Sequence, residues 1–170
     1  MTTATCRTKL SLISAILLCC LAGRLFAGEL PIESVRVLKS EHKLQLLSAN
    51  EVTREFHAVF GSNPLGHKTQ EGDGKTPEGV YLLDYKKSDS AFHKAIHISY
   101  PGERDIASAQ ARDMEPGGLI MIHGQKNGLG WLSFISRYLN WTNGCIALSN
   151  ADMDQVWDLV KEGTKIELLP

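Results

Sequence analysis

Apolar and polar residues alternate with a period of two over several short stretches of this chain. Val35 and Val37 alternate with Ser34 and Arg36, which predicts a strand over 34–38. Residues 44–47 and 52–60 predict two more strands. Short turns at Ser40-Glu41-His42 and Ala49-Asn50-Glu51 join them, so this region reads as a β-meander. Residues 61–78 then form a long loop punctuated by Asn63-Pro64, Gly66, Gly72, Gly74 and Pro77. Loops of that length inside a compact domain are usually functional or mobile. Strand patterns resume over 79–85 and 91–100. In the second of these, Ile96, Ile98 and Tyr100 take one face and His97 the other.

Pro101-Gly102 turns the chain into an Ala-rich helix predicted over 105–114. Pro116-Gly117-Gly118 stops it and leads into a strand over 119–122. Residues 131–139 predict one or two helical turns, with Trp131, Phe134, Ile135 and Tyr138 packed in the core or, alternatively, against a ligand. Ser149 is a good N-cap with Asp152 three residues on. Met153, Val156, Trp157 and Val160 follow at helical spacing as one core-facing stripe. Gly163 ends that helix, and a strand over 165–169 closes the domain. The pattern is mainly β with a few short helices, an α+β class.

The first 27 residues do not fit that pattern. Arg7 and Lys9 precede a nearly unbroken apolar run over 10–22, the length of a secretory h-region and short for a spanning helix. A secretory signal over 1–27 is expected, cleaved after Ala22 or Ala27, with an uncleaved membrane anchor as the alternative. The remaining 28–170 make one domain with a real core, destined for the periplasm or cell envelope. The formal charge of the whole chain is −1, and losing Arg7, Lys9 and Arg24 with no acids makes it −4. An acidic domain without a basic stripe is not a nucleic-acid binder. No heptad or association stripe is present, so a monomer is expected.

Cysteine usage narrows the chemistry. Cys6, Cys19 and Cys20 fall in the leader, leaving Cys145 alone. A leftover cysteine in an exported chain bridges to another molecule or works as a thiol, with a small buried hydrophobe as the plain alternative. Two other motifs lead nowhere. Gly72-Asp73-Gly74-Lys75-Thr76 resembles a phosphate loop, but Thr69 stands where its first glycine is needed, so no nucleotide is expected. His93 and His97 lack the zinc-protease Glu, because Lys94 follows the first histidine, so no metal is expected.

His123 leaves the end of the run Leu119-Ile-Met-Ile122 and is followed by Gly124. Cys145 sits on an Asn143-Gly144 turn leading into Ile146-Ala147-Leu148. An imidazole can take a thiol proton and hold a thiolate–imidazolium pair. The abrupt end at Gly124 is expected to expose His123 at a sheet edge. The backbone N–H groups of Asn143, Gly144 and Cys145 are an oxyanion-hole candidate, with Gly144 admitting a substrate carbonyl. These parts suit acyl transfer through a thioester, which needs no cofactor.

His123-Gly124 followed by Thr142-Asn143-Gly144-Cys145-Ile146 resembles the signature of the L,D-transpeptidase catalytic domain, the YkuD-like family. Gly72-Asp-Gly-Lys-Thr-Pro-Glu-Gly-Val-Tyr81 and His97-Ile98-Ser99-Tyr100-Pro101 extend the resemblance over nearly all of 35–169. The ending Gly-Cys-Ile-Ala-Leu-Ser-Asn150 is most similar to the YafK-like branch of exported murein enzymes. The resemblance implies a mixed β-sandwich with Cys145 as nucleophile and His123 as general base. His97, Gly124, Thr142 and Trp141 are candidates to line the substrate cleft. It also implies a substrate, the peptidoglycan stem peptide at the bond between an L-centre and a D-residue, with a wall-anchored lipoprotein as a candidate partner. Two positions depart from the family: Asn143 replaces a common histidine and Ala147 a common arginine. The His123–Cys145 separation, 22 positions, is also long. Transpeptidation and hydrolysis both remain open. A non-catalytic wall-binding protein and an exported cysteine peptidase acting on proteins are the alternatives from other classes.

Overall fold

The computed structural model describes residues 30–170. The expected leader over 1–27 lies outside the described residues. Eight strands run in the order β3-β2-β1-β8-β4-β5-β6-β7. They are β1 (Ser34–Leu38), β2 (Lys43–Ser48), β3 (Glu51–His57), β4 (Gly79–Ser90), β5 (His93–Ile98), β6 (Met121–His123), β7 (Ile146–Ala147) and β8 (Thr164–Leu169). The sheet is mixed: β1 runs parallel to β8 and β6 parallel to β7, and the other pairs are antiparallel.

Alternation decides which residues enter the core. On β1, Val35 and Val37 are buried and their neighbours only partly so. Thr164, Ile166 and Leu168 are the buried positions of β8. Val35, Val37, Leu44 and Leu46 from one half of the sheet meet Leu83, Ile96, Ile98, Ile122 and Ile146 from the other in one core. The molecule is thus the expected mixed β-sandwich, built from one continuous sheet. The sheet also turns back on itself. Val59, just after β3, exchanges two backbone hydrogen bonds with Ala147 of β7, at 3.0 and 2.9 Å. Gly61 bridges to Thr142. The two ends of the strand order are therefore joined beside Cys145.

Helices are short: α1 (Glu103–Gln110), α2 (Ser133–Ser136) and α3 (Asn150–Leu159). Ser149 caps α3, its hydroxyl accepting the Asp152 N–H at 3.1 Å. Met153 and Val156 face the core, while Trp157 is only partly buried, with Lys86 and Lys94 over its ring. Gly163 does not end α3, which stops at Val160. Gly163 makes the left-handed turn into β8 instead. Two further expectations need correction. β4 runs on to Ser90 as a charged arm paired with β5. Residues 131–139 do not pack in the core: Trp131, Phe134 and Tyr138 are 67, 60 and 77% exposed. That segment is a 3-10 turn (Gly130–Leu132) followed by the single turn of α2, too short to lay a stripe on the core. Among the described residues no helix is long and apolar enough to cross a membrane.

Candidate active site

β6 lies between β5 and β7, and its alternation sends Ile122 into the core. Met121 and His123 on the opposite face line a cleft of about 300 Å³. Having neighbours on both sides, β6 is not a sheet edge, so His123 is not exposed as the sequence suggested. It is 5% exposed, with Phe92 at 4.7 Å and Trp141 at 5.9 Å between ring centres. The residue after the strand is a glycine because a side chain there would run into Asn150 Oδ1 and His93 Cβ, at 2.7 and 2.9 Å from an ideal Cβ.

His123 Nδ1 lies 2.6 Å from the Gly124 carbonyl oxygen. A carbonyl only accepts, so Nδ1 carries the proton and Nε2 is left with its lone pair. Burial lowers the imidazole pKa, and the Gly124 carbonyl only partly offsets this. His123 is therefore neutral at neutral pH and ready to receive a proton.

Cys145 reaches the same cleft from the start of β7. Thr142 staples its turn: the hydroxyl donates to the Cys145 carbonyl at 2.7 Å and accepts the Gly144 N–H at 3.2 Å. Gly144 has φ +120, and an ideal Cβ on it would lie 2.5 Å from the Lys75 carbonyl oxygen. Glycine is thus required by the packing of loop 61–78 beneath the turn. With its N–H turned to Thr142, Gly144 also drops out of the expected oxyanion hole, which leaves the N–H groups of Asn143 and Cys145. α3 braces the assembly from behind. The Leu148 N–H donates to the His123 carbonyl at 2.9 Å, and Asn150 Oδ1 accepts the Gln125 N–H at 2.8 Å.

The thiol donates to the Leu119 carbonyl at 3.7 Å. Leu119 is held at φ +54, a left-handed conformation that costs a non-glycine residue about 1 kcal/mol or more and gathers at functional sites. Burial pushes the Cys145 pKa up, against the Met121 N–H and the Lys68 charge. One shift is down and the other up, and both favour the uncharged form. Burial thus favours a neutral pair, thiol and imidazole, over a preformed ion pair.

Residues 33–168 match the family profile of YkuD, the L,D-transpeptidase catalytic domain. The chain belongs to the YkuD family. An Escherichia coli K12 relative named "Putative L,D-transpeptidase YafK" is 29% identical, with 89% of this chain and 63% of that protein aligned. The chain therefore spans less than two thirds of that relative's length. Among solved structures, the helical cell shape determining protein Pgp2 of Campylobacter jejuni superposes with a TM-score of 0.60 at 24% identity. That match covers 81% of this chain and 47% of Pgp2. An L,D-transpeptidase from Mycobacterium smegmatis gives 0.54 at 18%, covering 82% of this chain and 59% of its own. These two likenesses concern the fold.

The YkuD fold brings His123, Cys145, Asn143, Thr142 and Trp141 to one cleft. Trp141 Nε1 is buried there without a hydrogen-bond partner among the described residues. Two sequence candidates fall elsewhere. His97 is not in the cleft wall: its ring stacks on Tyr85 at 4.5 Å and its Nδ1 pairs with Asp84 at 2.7 Å. Gly124 contributes only its carbonyl, to His123. His93, the other half of the discarded metal motif, pairs with Asp154 at 2.8 Å. Phe92, Leu119 and Met121 complete the cleft unannounced by the sequence, since apolar residues in a strand or turn carry no signal of what they will face.

Proposed function

We propose that this chain is a cysteine-nucleophile enzyme that acts on peptidoglycan stem peptides through a thioester. The observation that carries this reading is the joint presence of Cys145 and His123 in one cleft, with Nε2 of the imidazole without a hydrogen-bond partner among the described residues. In the reaction, Cys145 gives its proton to His123 Nε2 as the sulfur attacks the carbonyl carbon at the L-centre. The oxyanion forms against the Asn143 and Cys145 N–H groups, each donor contributing about 3 kcal/mol. The imidazolium then protonates the leaving amine of the D-residue, the C–N bond breaks and the thioester remains. An incoming amine or water loses its proton to Nε2 and releases the acyl group.

The YafK relative's name and the cell-shape role of Pgp2 support a wall substrate. The leader, with Arg7 and Lys9 before the apolar run over 10–22, supports export to the envelope where that substrate lies. Attack by an amine makes a transpeptidase. Attack by water makes a hydrolase that frees stem fragments or a wall-linked lipoprotein. The second outcome is favoured by Ala147, which puts a buried methyl where the family commonly has a cation.

The test is mass spectrometry of purified sacculi, some carrying bound lipoprotein, treated with wild type, Cys145→Ala or His123→Ala. New cross-links that depend on Cys145 are expected for a transpeptidase, and released fragments without them for a hydrolase. Cys145→Ala should abolish either change. His123→Ala should slow it by about 10²- to 10⁴-fold. Full turnover by either variant would overturn the assignment.

A further inference from the structure

Loop 61–78, whose length already marks it in the sequence as functional or mobile, tucks a charged pair largely out of solvent. Lys68 is 3% exposed, and its ammonium donates to the Gln70 carbonyl at 3.0 Å and to Asp73 Oδ1 at 2.9 Å. Asp73 also accepts the N–H groups of Thr69, Gln70 and Lys75, at 2.8, 3.2 and 3.0 Å. Burial alone would push this carboxyl up, but Thr69, Lys68, Lys75 and Gln70 together hold it at about 2. Taking such a pair out of water is costly, and a loop that only joined β3 to β4 has no need of it.

What the loop touches explains its location. The Lys75 N–H is bound to Asp73, and the Lys75 carbonyl is the group packed against Gly144. On the other side, Lys68 Cε passes 3.5 Å from the position of a Gly117 Cβ. Gly117 lies two residues before Leu119, whose carbonyl accepts the Cys145 S–H. The pair thus ties together the two segments that flank the thiol. Few charges compete with it. His123 faces the thiol from β6 and is neutral. Behind the pair, Arg112 donates to the Thr69 carbonyl at 2.7 Å, the Glu71 backbone packs on Gly117, and the Tyr100 hydroxyl is kept neutral by burial.

We propose that Lys68, clamped by Asp73, is a positioning residue for Cys145, holding the segments around the thiol and supplying the positive charge against which the thiolate forms. This rests on the reading of Cys145 as the nucleophile. The Lys68 charge already acts on the thiol in the resting state, opposing the effect of burial.

The experiment is the pH profile of iodoacetamide alkylation in the full chain, read by mass spectrometry on the peptide that carries Cys145, so that Cys6, Cys19 and Cys20 do not contribute. Thiol reactivity is measured without any wall substrate, so the result is independent of whether the proposed reaction is correct. Lys68→Met should raise the midpoint by about half a unit or more. Alkylation at pH 7 should then be about threefold slower, with the rate at high pH unchanged. Lys68→Arg, which keeps the charge, should restore the wild-type midpoint. Lys68→Gln keeps a donor for Gln70 and Asp73 without the charge, and should behave like Lys68→Met. An unchanged midpoint in folded Lys68→Met or Lys68→Gln would overturn the proposal, as would a shift that Lys68→Arg fails to reverse. Loss of the folded state in both neutral variants would assign the pair a purely structural role, and would equally overturn it.

Discussion

Burial acts on the two reactive side chains in opposite senses, and each time it favours the uncharged form. The His123 pKa lies below the ordinary 6.5. As pH falls, the imidazole therefore stays neutral for longer than a free histidine. Its ring should titrate by NMR with a midpoint below 6.5, and the acid limb of kcat/KM should follow it. The same logic predicts that Cys145 alkylation rises steeply above pH 8 without a plateau at lower pH. A plateau between pH 5 and 8 would show a preformed thiolate and refute the neutral pair. Cys145 and His123 were legible in the sequence because each residue type carries its chemistry in a distinctive setting. Lys68 was not. Its importance depends on being buried against Asp73 and on contacts with Gly117 and the cysteine turn, which lie far along the chain.

Among the elements, α3 links packing to the site. Its first turn is fixed by Ser149, and the residues on either side of that cap hold the ends of β6 and β7 through Leu148 and Asn150. Ser149→Ala should cost about 1 kcal/mol and lower Tm by about 3–5 °C in thermal unfolding. An unchanged Tm would mean that the cap is not supporting the helix. This element was readable because a cap and a 3.6-residue stripe are local signals. The strands were readable for the same reason, through Val35 and Val37 on β1 and Ile96 and Ile98 on β5. Residues 131–139 misled because aromatic content resembles a core stripe, whereas burial depends on whether a helix is long enough to present one. The start of β6 was displaced because Leu119 adopts a positive φ that no residue pattern announces.

At the scale of the whole molecule, loop 61–78 contributes to stability as well as to the site. Asp73 has a folded pKa of about 2 against an ordinary 3.8. Its contribution is fully present above about pH 4 and is lost as pH falls towards 2, when the carboxylate must be protonated in the folded state. Allowing for solvent screening, it is worth on the order of 1–2 kcal/mol. Asp73→Asn should lower stability at pH 7 by at least that much and flatten its dependence between pH 4 and 2, measured by urea unfolding across pH. A variant as acid-sensitive as wild type would show that other carboxylates dominate.

The joining of Val59 to Ala147 has a consequence for how a substrate can approach. β7 is two residues long and would otherwise present a bare edge immediately after Cys145, a ready template for an extended peptide to lie on as an additional strand. The chain leaving β3 already occupies that edge. For the reaction proposed above, a peptide has to reach Cys145 through the cleft lined by Leu119, Trp141 and Asn143 instead. Recognition by backbone pairing with β7 is closed to it, and so is self-association of two copies through that edge.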